Sequence, residues 1–219
     1  MKKRLLIACT MQLDIICYIM KKYKIELPII WLNRSLHNCP RQLHKSIQEK
    51  ICEHQDVDEI LLSFGLCGNA TVGLLSERTK LIMPAFDDCI CQLLYNESEC
   101  KQTHSVQKKG CFYLTREWTI DRQAIVQQCE DIYAKYGKED GQLIINEIYA
   151  DYHTLVLLKT NAYDVDKVRE YVEKAAKYTG MCVEIQNANT EIIKKLLKGE
   201  YEKLMVNLQP GKVMMGIKY

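Results

Sequence analysis

One stretch narrows the possible folds more than any other. The run 59–64 is mostly apolar and stops at once in Gly65-Leu66-Cys67-Gly68-Asn69. An apolar run of that length is a buried strand, and the two glycines permit backbone angles that a side chain disfavours. Cys67 and Asn69 therefore ride on a tight turn just past a strand end, which is where open α/β sheets bind their ligands. The pattern recurs. The run 3–8 ends at Cys9, and Thr10 can cap a helix over 11–23. A second run, 25–31, leads through His37 and Cys39 to Pro40. Proline suits the first turn of a helix, and Leu43, Ile47 and Ile51 then share one face. The run 80–83 leads to Asp87-Asp88-Cys89, where either carboxylate can cap the next helix.

Strand and helix alternating at such intervals predict parallel pairing through crossover helices. The expected fold is α/β and Rossmann-like, with a mainly parallel sheet flanked by helices. Downstream, the pattern predicts a short helix over 70–76, a polar helix over 97–109 and an aromatic connector over 110–118 that covers the site. Helix 121–136, stopped by Gly137, and a helix over 141–152 follow. Strand 154–159, helix 165–178, strand 181–186, helix 190–197 and strand 203–208 complete the chain. This reads as two lobes, 1–118 carrying the cysteines and 119–219 without the cysteine pattern.

Charges nearly balance at a formal +2, so no polyanion-binding surface is expected and nucleic acid is not a partner. The opening Met1-Lys2-Lys3-Arg4 is followed by an apolar run that breaks at Thr10, Gln12 and Asp14. That is too short for an export or membrane segment, and the expectation is a cytoplasmic protein without membrane association. Eleven cysteines are many for a chain of 219 residues. In a reducing compartment such thiols serve metal ligation, redox chemistry or packing. Cys17, Cys52, Cys129 and Cys182 lie within regular elements and are assigned to packing, as is Cys91.

In a parallel sheet all strand C-termini lie along one edge. Cys9, Cys67 and Cys89 would meet there, each near a helix start whose dipole favours thiolate. These three are the candidate metal ligands, with His37, Cys39 or an exogenous molecule in the fourth position. An iron–sulfur cluster is the preferred occupant and zinc the alternative, since both suit thiolate-rich coordination. His37 and Asp88 are the candidate catalytic groups, and Gly65, Gly68 and Asn69 the candidate cofactor-binding turn. The spacing matches no compact zinc or ferredoxin run. Dinucleotide, P-loop and serine or cysteine hydrolase signatures are absent from the sequence. The plain alternative is that these cysteines are small residues packed at strand ends.

Five segments carry a family resemblance: Ile7-Ala8-Cys9, Leu36-His37-Asn38 with Pro40, Phe64 to Asn69, Asp88-Cys89-Ile90, and Tyr113-Leu114-Thr115 with Trp118. A looser match is Gln209-Pro210-Gly211. On these the chain resembles an uncharacterised family of bacteria and archaea, a domain of unknown function often encoded beside corrinoid-dependent methyltransferases. The family pattern has histidine where this chain has Asp87, and Cys39 lies outside it. The resemblance implies one-carbon or corrinoid metabolism by association. The expected function is a metal or iron–sulfur protein handling a small molecule or methyl-transfer cofactor. Two other classes compete: a non-catalytic accessory protein that binds a corrinoid protein or methyltransferase, or delivers metal to it, and a zinc-thiolate protein for alkyl transfer.

Overall fold

The computed structural model describes residues 2–97, 107–120, 124–201 and 204–216. In chain order the elements are β1 (Arg4–Cys9), α1 (Leu13–Tyr23), β2 (Ile29–Leu32), α2 (Pro40–Glu53), β3 (Glu59–Ser63), β4 (Lys80–Pro84) and α3 (Cys89–Leu94). After them come β5 (Cys111–Leu114), α4 (Ile125–Tyr136), α5 (Lys138–Ile148), β6 (Thr154–Lys159), α6 (Val165–Thr179), β7 (Cys182–Asn187), α7 (Glu191–Lys198) and β8 (Met205–Leu208). Two compact units result, one built from 1–106 with 189–219 and the other from 107–188.

The first unit is a five-stranded sheet in the order β2-β1-β3-β4-β8. The first four strands are mutually parallel, as the alternating apolar runs predict. Strands β1 and β3 are buried along nearly their whole length, because a parallel sheet covered on both faces needs apolar side chains in both directions. Helix α2 turns Leu43, Ile47 and Ile51 inward, the face its sequence spacing predicts. Helix α7 buries Ile192, Ile193, Leu196 and Leu197 and lies against α1, α3, β3 and β4.

The order 2-1-3-4 has one consequence for the site. From β1 the chain moves to one side to form β2, then crosses back to form β3 on the other side. The C-terminal ends of β1 and β3 are thus the topological switch point, where connections diverge and leave a crevice.

The second unit is a three-stranded parallel sheet, β5-β6-β7. Its core joins Leu114, Leu155 and Leu157 to Val126 and Cys129 of α4, Ile145 of α5 and Val168, Val172 and Ala175 of α6. The expected helices 121–136 and 141–152 are realised as α4 and α5.

Several expectations are corrected. The segment 70–76 is a series of turns, because Gly73 sits at φ +88° just after positive φ values at Cys67, Gly68 and Asn69. The aromatic connector 110–118 contains strand β5, which pairs with β6. The compact units also do not follow a single cut at 118. β5 belongs with the later elements, whereas β8 returns to pair antiparallel with β4. The polar helix expected over 97–109 falls mostly on 98–106, outside the described residues.

Candidate functional site

Cys9 is the last residue of β1 and caps the 3-10 turn Thr10–Gln12, its sulfur accepting from the Met11 amide at 3.4 Å. His37 lies in a second 3-10 turn, Arg34–Asn38, that follows β2. The two turns are tied by the Arg34 amide, which donates to Thr10 Oγ1 at 3.0 Å. That tie brings His37 Nε2 to 3.2 Å from Cys9 Sγ, with the imidazole stacked on Phe64 at the end of β3. Burial holds the imidazole below its ordinary value, a shift that the charge of Asp88 partly opposes. The ring is neutral at pH 7.

The turns after β3 and β4 run side by side. Leu66 N–H donates to Phe86 O at 2.9 Å and Cys67 N–H to Asp87 O at 2.7 Å. Glycine at 65 is what permits this: a Cβ there would stand 2.6 Å from the backbone of Asp88 and from Phe86 O. Gly65 therefore has a packing reason that requires no ligand. Cys67 at φ +47° and Asn69 at φ +67° flank Gly68 at φ +67°, three successive residues in the left-handed region. Such angles are uncommon for residues other than glycine and concentrate at functional sites. Gly68 and Asn69 are exposed at the rim of this turn, whereas the Cys67 side chain is buried.

Cys89 begins α3, and Asp88 caps that helix by accepting the Cys91 amide at 2.8 Å. Burial pushes the Cys67 thiol up to about 12, and the charges of Asp88 and Cys9 raise it further against backbone hydrogen bonding at Gly65 and Cys89. Burial likewise drives Cys89 well above its ordinary value, with Cys67, Asp88 and Cys9 adding to the effect. Cys67 thus lies within range of the charge of Cys9, and Cys89 within range of the charges of Cys9 and Cys67. At Cys67 and Cys89 the thiol is favoured, against the thiolate expected at helix starts. No helix follows Cys67, and at Cys89 desolvation outweighs the dipole of a six-residue helix.

Cys9, Cys67, Cys89, His37 and Asp88 are accordingly gathered around the switch point. Among the described residues, however, no three His, Cys, Asp or Glu side chains form a metal cage as they stand. The donors are of the right type, soft thiols with a neutral imidazole, but the Cys9 sulfur is engaged by the Met11 amide and His37. Cys39 is half-buried at the N-cap of α2. Asp87 contributes its carbonyl to the paired turns.

The other cysteines divide differently from expectation. Cys129 and Cys91 are buried, but Cys17, Cys52 and Cys182 are exposed. Sequence reasoning also passed over three buried polar side chains beside the thiols. Ser63 Oγ donates to Gln12 Oε1, and Gln12 Nε2 donates to Gln92 Oε1 at 3.2 Å. Gln12 in the turn after Cys9 and Gln92 in the helix that begins at Cys89 were the available signal.

Fold and site together define a parallel α/β protein with a thiol-rich switch point. The chain matches, over residues 31–197, a family described as Protein of unknown function (DUF1638), and it belongs to that family. Cys9 lies outside the matched range; His37, Cys67, Asp88 and Cys89 lie within it. No curated protein and no solved structure matches the chain. Among the described residues no helix is long and apolar enough to cross a membrane.

Proposed function

We propose that this protein binds a soft metal centre, an iron–sulfur cluster in the preferred form, through Cys9, Cys67 and Cys89. There it acts on a small molecule or methyl-transfer cofactor of one-carbon or corrinoid metabolism. The observation that carries the reading is the convergence of three buried, mutually interacting thiols at the switch point, with His37 Nε2 3.2 Å from Cys9 Sγ. Protons leave such thiols reluctantly, because each thiolate would be desolvated and would face its neighbours' charge. A cation that replaces the protons relieves both penalties at once.

His37 is neutral and can serve as a fourth donor or as a proton carrier. Asp88 fixes the start of α3, and hence the position of Cys89, while its own charge favours a cationic occupant. Gly68 and Asn69 form the exposed rim over which a small molecule would approach. Bound at this place, the centre would supply thiolate sulfur and a Lewis-acidic or redox-active position at neutral pH. The nitrogen donor beside Cys9 favours one variant of this reading, zinc in place of a cluster, with a zinc-bound thiolate serving alkyl transfer.

Anaerobic purification of the full chain, followed by metal and acid-labile sulfide analysis, tests the proposal. Iron with matching sulfide, or zinc without it, is expected. Replacing Cys9, Cys67 or Cys89 by serine should lower the occupancy severalfold, whereas Cys52→Ser should not. Protein that neither carries nor takes up either metal overturns the reading.

A further inference from the structure

We infer that a cleft among three helices of the second unit binds a small planar ring that carries a phosphate group. The inference does not depend on the thiol site. The cleft is open, has a volume of about 520 Å³ and lies within the size range of small-molecule sites. Its lining is Tyr133 of α4, Lys138 of α5, and Lys174, Lys177 and Tyr178 of α6. All five belong to one compact unit, whose core packs these three helices together.

The three lysines are not equally engaged. Lys174 Nζ donates to Glu130 Oε1 at 2.7 Å, which compensates its charge. Lys138 and Lys177 pair with no acid among the described residues. Lys177 stands in the last turn of α6, where the helix dipole favours a cation. Lys138 is the first residue of α5, where the dipole opposes one. Glu139 and Asp140 share that turn but do not line the cleft. Lys138 therefore has no reason within its own helix to be a lysine. Two uncompensated ammonium groups at one opening suit the nearly double charge of a phosphate monoester, which lysine meets as a point charge.

The two tyrosines are held in place by the protein. Glycine at 141 lets the Tyr133 ring lie on α5, since a Cβ there would stand 2.7 Å from Tyr133 Cδ1. Tyr133 Oη donates to Gln142 Oε1, and Gln142 Nε2 donates to the carbonyl of Tyr178 at 3.0 Å. Tyr178 Oη donates to Glu130 Oε1 at 3.3 Å. The rings themselves meet with centroids 5.5 Å apart and planes tilted by 56°. Both hydroxyls are thus taken up inside the protein, and what the tyrosines present to the cleft is ring surface. Aromatic surface recognises a flat π-system, as it does the bases of nucleotides. Lysines alone would suit a bare anion and tyrosines alone an uncharged ring. Together they fit a planar heterocycle bearing phosphate.

Calorimetric titration of the full chain at low salt tests this with two probes, AMP and flavin mononucleotide. At least one should bind with a Kd below about 1 mM. The same ring without phosphate, adenosine or riboflavin, should bind roughly tenfold more weakly, and so should ribose 5-phosphate, which lacks the ring. The double variant Lys138→Gln with Lys177→Gln should lose about tenfold in affinity, the combined effect of two exposed ion pairs. Its melting temperature should match wild type, because both side chains are exposed. If neither nucleotide binds, or the double variant binds as tightly as wild type, the proposal is overturned. Ribose 5-phosphate that binds as well as the nucleotides overturns the ring-bearing ligand. Wild type provides a second reading that needs no variant. The backbone amide resonances of Lys138 and Tyr178 should move during the titration, and resonances that stay in place overturn the assignment to this cleft.

Discussion

The two ends of the five-stranded sheet solve the problem of buried ionisable groups in opposite ways. At the N-terminal end, Glu59 is 2 % exposed yet fully partnered. Lys2 Nζ donates to Oε1 at 2.6 Å, Tyr201 Oη to Oε2 at 3.0 Å, and Lys80 Nζ stands 3.8 Å away. An open cleft of about 490 Å³ adjoins this carboxylate. Several of its charged side chains are engaged: Lys3 with Asp56, Lys198 with Glu200, and Arg4 with the carbonyl of Leu197. At the C-terminal end, burial and neighbouring charge disfavour ionisation of Cys67 and Cys89, and a buried amide has no hydrogen-bond partner. The first end is complete as it stands. The second leaves a buried donor without a partner. Partner accounting, not the presence of a cleft, separates the two ends.

The largest effect separating the two ends is chemical. In metal-free protein at pH 8, Cys17, Cys52 and Cys182 should alkylate readily, being exposed. Cys67, held up at about 12, should react roughly a thousandfold more slowly, because only the thiolate attacks. Cys129, held up at about 11 mainly by burial, should also be slow. Mass spectrometry after timed quenching reads each site separately. A Cys67 that labels as fast as Cys17 would break the contrast, showing that the thiol end is open and ionised.

A smaller effect tests what assembles that end. Gly65→Ala drives a Cβ into the backbone of Asp88 and Phe86 at 2.6 Å, where no side chain can yield. A loss of about 3 kcal/mol is expected from overpacking, read as a lower urea midpoint. The paired turns that align Cys67 with Cys89 should separate, so metal occupancy should fall along with stability. An alanine variant of wild-type stability would mean that the two turns are not packed in this way.

The legible and illegible features of this molecule have separate physical origins. Apolar runs that alternate with helical spacing gave away β1 to β4 and the sheet edge beyond which Cys9, Cys67 and Cys89 follow, because burial on both faces demands those runs. β5 was hidden, since four residues rich in aromatic side chains carry no periodicity. The return of β8 to β4 depends on contacts distant in sequence, which no local pattern encodes. The exposure of Cys17 and Cys52 was legible but overlooked. Ile15, Ile16 and Ile19 define the buried face of α1, and Leu43, Ile47 and Ile51 that of α2; both cysteines fall off those faces. The thiol protonation state was not legible, because it depends on desolvation, and desolvation is a property of the packed protein.

The smallest effect concerns the self-sufficient end, and it has a definite pH window. Burial pushes the Glu59 carboxyl upward, but hydrogen bonds from Lys2 and Tyr201 and the charges of Lys2 and Lys80 outweigh it and hold the group below its ordinary value. A carboxylate whose folded value is depressed stabilises the protein above its unfolded value of about 4.3, and that contribution is lost as pH falls through the folded value. Lys2 is largely exposed, so the ion pair itself counts for little. Most of the contribution comes from hydrogen bonds to a buried charge. Glu59→Gln should therefore cost about 2 kcal/mol at pH 7 by chemical denaturation. The difference between the two proteins should shrink as pH falls below about 4.3 and vanish once the folded wild type is protonated as well. A deficit that stays constant from pH 7 to pH 3 would show that the carboxylate's charge is not what secures this end, and partner accounting would lose its reference case.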